Sequence, residues 1–400
     1  MSIASPNQSD AANGVDKRVL HSTIGYFAAF VSLGLVSASL GPTLPSLAEN
    51  TSSQLSQISI LFTARSAGYL LGSFVSGQVY DRVAGHPVLV GLLLLLGISL
   101  AVVPLIPTLW LLAILLLLVG FSEGMVDVGG NTLLVWVHRG KVGPFMNGLH
   151  FFFGAGAFLA PLIIAQTMLA TGAIRWPYWI VAALMLPGAI WLGRVKSPER
   201  QLVPEAEQGD MANALLVFLS ALFLFMYVGA EISFGGWIYT YALKLDIATE
   251  AVAALLTSGF WGALTGGRLL AIPIAARVRP SRMLLADLLG CIASVGTILL
   301  FPTSSTAIWI GTLGLGFSMA SIFPTTLSFA ERRMTITGKV TSFFFIGASS
   351  GGMFLPWLIG QLFEKIGPQV TMIAIFTNLF LALAVFVILM RSSKRERQLP

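Results

Sequence analysis

The chain has 400 residues, 56% of them hydrophobic and 10% charged, with a formal net charge of +6. A water-soluble globule carries about 25% charged residues, so this composition, with a mean hydropathy of +0.85, excludes one and points to an integral membrane protein. The basic residues form no single patch, which argues against nucleic acid as a partner, and the lone cysteine, Cys291, excludes an internal disulfide or a cysteine metal cluster.

Residues 1–20 are polar and lack the apolar core of a cleaved secretion signal, so the first helix is expected to direct insertion. Apolar runs of roughly 20 to 28 residues suit helices crossing about 30 Å of hydrocarbon, and the alternation of a membrane β-barrel is missing. Twelve spans are predicted, at 21–47, 54–79, 87–106, 109–137, 144–170, 176–194, 212–243, 249–276, 283–302, 306–330, 339–364 and 369–390. Arg82, Arg139, Lys141, Arg194, Lys196, Arg277, Arg279, Arg332, Arg333, Arg391 and other bases fall on the side of the termini. The opposite side keeps Arg175, Lys244 and Lys365, so both termini are expected in the cytoplasm.

In the fourth span Glu123, Asp127 and Asn131 recur every four residues, which stacks them on one helical stripe beside Gly120, Gly124, Gly129 and Gly130. A carboxylate at the centre of a span costs about 2.5–3.5 kcal/mol on insertion scales and normally faces a partner or a watery cavity. Counting about 1.5 Å per residue places Arg65 of the second span level with Glu123, and Arg268 of the eighth level with Asp287 of the ninth. Two buried charge pairs are therefore expected, and the first leaves Asp127 free to exchange a proton.

The fifth span holds Asn147, His150 and Gln166, and the eleventh holds Gln361. The amides suit sugar hydroxyls or contacts between helices, and for His150 a plain polar contact is favoured over a proton relay. Glu231 in the seventh span is expected to bind substrate or the coupling cation, with Trp237 as a surface for the apolar face of a sugar ring. For Trp237 the membrane interface is an equal alternative, and for Tyr239 and Tyr241 it is the preferred reading.

The hydrophilic stretch 195–211 divides the chain into halves, 21–194 and 212–390, with polar tails at 1–20 and 391–400. Gly156, Pro161 and Gln166 recur as Gly351, Pro356 and Gln361, each set after three phenylalanines, and Gly68 to Leu71 answers Gly267 to Leu270. Six spans per half in one orientation make a parallel repeat. The fold expected is an all-α integral membrane protein of two six-helix bundles related by a pseudo-two-fold along the membrane normal. Substrate then binds between the bundles, and the glycine- and proline-rich helices two, five, eight and eleven are candidate sliding surfaces.

This layout, with GQVYDR at Gly77 to Arg82, resembles the major facilitator superfamily over the whole chain. In that family the loop is a gating latch, which the resemblance carries to Asp81 and Arg82. Four stretches are similar to the fucose permease and sodium-dependent glucose transporter branch: SLGPTLPSL from Ser39, DVGGNTLL from Asp127, GAEISFGGWIYTYA from Gly229 and FWGALTGGRLLAIP from Phe260. Fucose permease-like proteins carry a coupling acid four residues before an asparagine in the fourth span, places held here by Asp127 and Asn131. The second coupling acid of the first span is replaced by Ser37 and Ser39.

No catalytic constellation, phosphate loop or nucleotide-binding domain is present, so the chain is not expected to be an enzyme, and transport must draw on a gradient. The expected function is symport of a small hydroxylated solute, a hexose, across the plasma (cell inner) membrane. A monomer with no cofactor is expected, with proton and sodium both open as the coupling ion. The rivals are a proton-coupled exporter of apolar compounds, and a receptor or sensor on the same fold.

Overall fold

The structure is a computed structural model and describes residues 8–139, 142–199, 214–334 and 336–395. The described residues form helices α1 (Gln8–Ser37), α2 (Leu40–Asn50), α3 (Leu55–Ile58), α4 (Ile60–Tyr80), α5 (Gly85–Val102), α6 (Leu109–His138), α7 (Gly143–Thr171) and α8 (Arg175–Ala183). They continue as α9 (Leu186–Gly193), α10 (Ala214–Lys244), α11 (Glu250–Ala275), α12 (Pro280–Leu300), α13 (Ser305–Met319), α14 (Ile322–Glu331), α15 (Gly338–Ile366) and α16 (Val370–Arg395). Lys141 and residues 200–211 of the expected linker lie outside the described residues, as do residues 1–7 and 396–400. The first helix begins at Gln8, earlier than the predicted 21, and the last runs to Arg395, past the predicted 390.

Among the described residues, 11 segments are long and apolar enough to cross a membrane. The twelfth span is α11, whose 26 residues suffice in length while Arg268 and its glycines dilute its hydropathy. Together they make the twelve-helix, two-bundle fold expected from the repeat.

Four spans are broken where continuous helices were predicted; the second is split at Ser59, between α3 and α4. The first splits between α1 and α2, the sixth between α8 and α9, and the tenth between α13 and α14. One cause explains the last three, since Pro42, Pro187 and Pro324 each fall in the first turn of the second piece. There the missing N–H costs nothing within that piece, yet it cannot close a hydrogen bond to the helix before. Each of these three breaks frees backbone carbonyls inside the membrane region, and two of them become parts of the site described below.

Close glycine contacts set the helix pairs. A Cβ at Gly120 would sit 1.9 Å from the Arg65 carbonyl oxygen, and one at Gly68 would sit 1.9 Å from that of Leu117, so α4 and α6 touch backbone to backbone. The repeated glycines behave alike: Gly156 faces the Val31 carbonyl at 2.1 Å and Gly351 faces the Phe225 carbonyl at 1.9 Å. These contacts pack α1 on α7 and α10 on α15, each inside one bundle. At Gly156 and Gly351 the repeat is therefore a close-packing device inside each bundle. The bundles themselves meet through α4 with α15, α7 with α11 and α2 with α10.

Gly120→Val is expected to destabilise by at least the upper part of the ~1–3 kcal/mol typical of overpacked cores, because the opposing atom is backbone. Gly91, around which a Cβ meets nothing within 4 Å, serves as the control: thermal unfolding in detergent is expected to fall sharply for Gly120→Val and hardly for Gly91→Val.

Candidate functional site

Because α4 lies so close to α6, side chains four residues apart on one helix meet their counterparts on the other as successive rungs. On the first rung Arg65 donates from Nε to Glu123 Oε2 and from Nη2 to Oε1, both at 2.6 Å. Its Nη1 donates to the Ser37 carbonyl at 3.0 Å, at the break in the first span. Arg65 and Glu123 are 15% and 3% exposed, so the pair is desolvated and held by the forked geometry that suits guanidinium and carboxylate.

On the second rung the Tyr69 hydroxyl donates to Asp127 Oδ2. Asn131 donates from Nδ2 to Asp127 Oδ1 at 3.0 Å and to the Asp127 carbonyl at 2.9 Å. Asp127 thus has hydrogen bonds where Glu123 has a cation. Tyr69 was not singled out from the sequence, although its place four residues after Arg65 repeats the step from Glu123 to Asp127.

The second bundle supplies Glu231 from the middle of α10. Tyr227, one turn earlier on the same face, donates to the Met319 carbonyl at 3.2 Å, beside the break in the tenth span. Arg268 on α11 does not pair with Asp287 as expected. The Asp287 carboxylate accepts instead from the Ser321 hydroxyl at that same break. The Arg268 charge acts on Asp127 of one bundle and Glu231 of the other, and on His150, without closing an ion pair with either carboxylate. His150 also meets Phe30 edge-on at 6.0 Å.

Asp127, Asn131, Glu231, Arg268 and His150 are all half-buried. Polar side chains at mid-span that interact across both bundles face the interior, so their residual accessible surface opens into the space between the bundles. That space can take a polar solute. For a cation it presents the Asp127 carboxylate and the Tyr69 hydroxyl, oxygens of the type that hold hard ions.

Two of the five expected substrate residues, Trp237 and Gln361, stand elsewhere. Trp237 is fully buried, stacked on Phe363 at 5.1 Å and against Phe62 at 6.0 Å, with its indole N–H on the Pro356 carbonyl at 3.1 Å. It closes the end of the molecule away from the termini and faces no solute space. Gln361 donates to the Ser56 carbonyl at 2.6 Å in a contact between bundles. Gln166 and Asn147 are exposed, and Asn131 is at the site, bonded to Asp127. Tyr239 and Tyr241, expected at the membrane interface, are 5% and 0% exposed, enclosed by packing. Asp81 and Arg82 lie exposed just beyond α4 at the termini end.

The Major Facilitator Superfamily model matches residues 24–356. The chain is 33% identical over 374 residues to sodium-dependent glucose transporter 1A of Mus musculus, covering 84% of this chain and 88% of that protein. It is also 33% identical over 384 residues to sodium-dependent glucose transporter 1 of Homo sapiens, covering 84% and 73%. Among solved structures, a mutant of the nucleoside transporter NupG superposes with a TM-score of 0.73 at 13% identity, covering 94% of this chain and 99% of that one. At that identity the likeness concerns the fold alone.

Proposed function

Because the chain belongs to the major facilitator superfamily, we propose that it is a secondary transporter that carries a hexose in symport with sodium, by alternating access between its two bundles. It works as a monomer in the plasma (cell inner) membrane with both termini cytoplasmic. The observation that carries the reading is the pair of half-buried carboxylates, Asp127 and Glu231, one on each bundle, which share the field of Arg268 without either being neutralised in an ion pair. An acid so placed gains from a cation and also offers acceptors to solute hydroxyls. Glu231, one turn from Tyr227, is the group assigned to the sugar; Asp127, with Tyr69 and Asn131, is assigned to the ion.

Sodium is preferred over the proton because the relatives' printed names support that choice and because the Asp127 carboxylate and the Tyr69 hydroxyl meet as two oxygens of the type that holds hard ions. Arg65 and Glu123 hold the broken first span and take no part in coupling. Asp81 and Arg82 keep the gating role that the family's loop implies.

The test is binding of a labelled hexose to purified protein with sodium, with choline, and across a change of pH. Sodium is expected to tighten binding at least about tenfold, equivalent to ~1.4 kcal/mol. Glu231→Gln is expected to weaken binding by a similar factor while sodium still tightens what remains. Tightening by protons alone would reassign the ion, and no hexose binding in any condition would sink the reading.

A further inference from the structure

At the end away from the termini, α15 presents one stripe to α3 and α4. Met353, Trp357, Gln361 and Glu364 recur at steps of three or four residues, the spacing of a single helical face. Gly360 lies in the same stripe, and a Cβ there would fall 2.2 Å from the Ser59 Cβ, so only glycine lets the two bundles approach this closely.

Along this stripe hydrogen bonds join one bundle to the other. The Leu55 N–H donates to Glu364 Oε1 at 2.8 Å, and the Ser56 hydroxyl donates to Oε2 at 3.3 Å. Gln361 Nε2 donates to the Ser56 carbonyl at 2.6 Å and to Ser59 Oγ at 3.3 Å. Deeper in, the Thr63 hydroxyl donates to the Met353 carbonyl at 3.1 Å.

Followed toward the termini, the same two faces part. Phe74 on α4 is 44% exposed, and Ile346 and Phe343 on α15 are 39% and 41% exposed. A Cβ at Gly77 meets nothing within 4 Å. The helices are thus joined at one end by hydrogen bonds and separate toward the other. Apolar packing of the usual kind would hold both ends alike. Hydrogen bonds that water can replace hold one end reversibly.

We infer that Glu364 and Gln361, docked on Leu55, Ser56 and Ser59, form a polar latch that keeps the far end of the pathway shut while the termini end is open, and that transport requires it to open and reform. Glu364 is its principal residue, because its carboxylate takes two donors from the opposite bundle.

The chain carries one cysteine, buried, so Cys291→Ser gives a background free of thiols. A reporter, Ser66→Cys, sits on α4 just below the latch, where the native Ser66 Oγ lies 3.3 Å from the Cβ position of Gly352. An impermeant thiol reagent is applied from the far end, to vesicles of known orientation. Glu364→Ala with Gln361→Ala is expected to label the reporter about tenfold faster, the scale set by losing hydrogen bonds to a charged group. Glu364→Gln keeps one acceptor for the Leu55 N–H and is expected to fall between. Lys365→Ala, on the neighbouring exposed residue, is the control and is expected to leave the rate alone. An unchanged rate in the double variant, or an equal rise in Lys365→Ala, would overturn the latch. The readout is accessibility, so either result stands apart from the identity of the solute.

Discussion

In Asp127→Asn, uphill accumulation of hexose is expected to vanish while exchange of labelled for unlabelled hexose survives. A tenfold gradient of one cation stores ~1.4 kcal/mol and supports about tenfold accumulation by the native chain; in the variant the ratio falls to about one. The amide is nearly isosteric with the acid: its one side-chain oxygen can accept from Asn131 while its NH2 donates to the Tyr69 hydroxyl, and the Arg65–Glu123 rung is untouched, so the contact between α4 and α6 persists. What is lost is the charge that makes cation occupancy favourable. Gradient-driven accumulation persisting in Asp127→Asn would remove Asp127 from coupling and move the ion site to Glu231.

The second large effect is on stability. Arg65→Leu leaves Glu123, 3% exposed, charged and alone, and takes the donor from the Ser37 carbonyl. Breaking one side of a buried pair typically costs about 3–5 kcal/mol, enough to deplete folded protein. Arg65→Leu with Glu123→Leu removes both charges together and is expected to recover most of the loss, leaving chiefly the orphaned carbonyl at the break. Thermal unfolding of the purified single and double variants decides this. A single variant as stable as the native chain would show that the pair does not hold the break, and a double variant no better than the single would put the cost elsewhere than in the uncompensated charge.

The membrane class, the number of spans and the internal repeat were legible in the sequence because composition and apolar length dictate them. Counting rise per residue also placed Arg65 level with Glu123, and they meet because glycine on both helices removes the distance between them. The same count placed Arg268 level with Asp287, yet height along the membrane says nothing of direction around a helix. Asp287 turns to Ser321 at a break that hydropathy does not register. The break was nonetheless written in Pro324, as two others were in Pro42 and Pro187.

Trp237 shows the same limit. Six residues beyond Glu231 lies roughly 9 Å further along and roughly 240° around a helix, so an aromatic near in sequence faces another neighbour, here Phe62 and Phe363. The residue that does share the Glu231 face is Tyr227, one turn back, and its counterpart across the bundles is Tyr69. Both are aromatic residues that sequence reading leaves in the apolar background unless helical steps are taken from the acids outward.

The most direct test of the account is uptake of labelled hexose by proteoliposomes holding the native chain, with a sodium gradient and a proton gradient imposed in separate experiments. The account predicts accumulation above the outside concentration under the sodium gradient and its collapse when sodium is equalised. No hexose movement under either gradient, with expulsion of a lipophilic dye in its place, would contradict it and make the chain an exporter of apolar compounds.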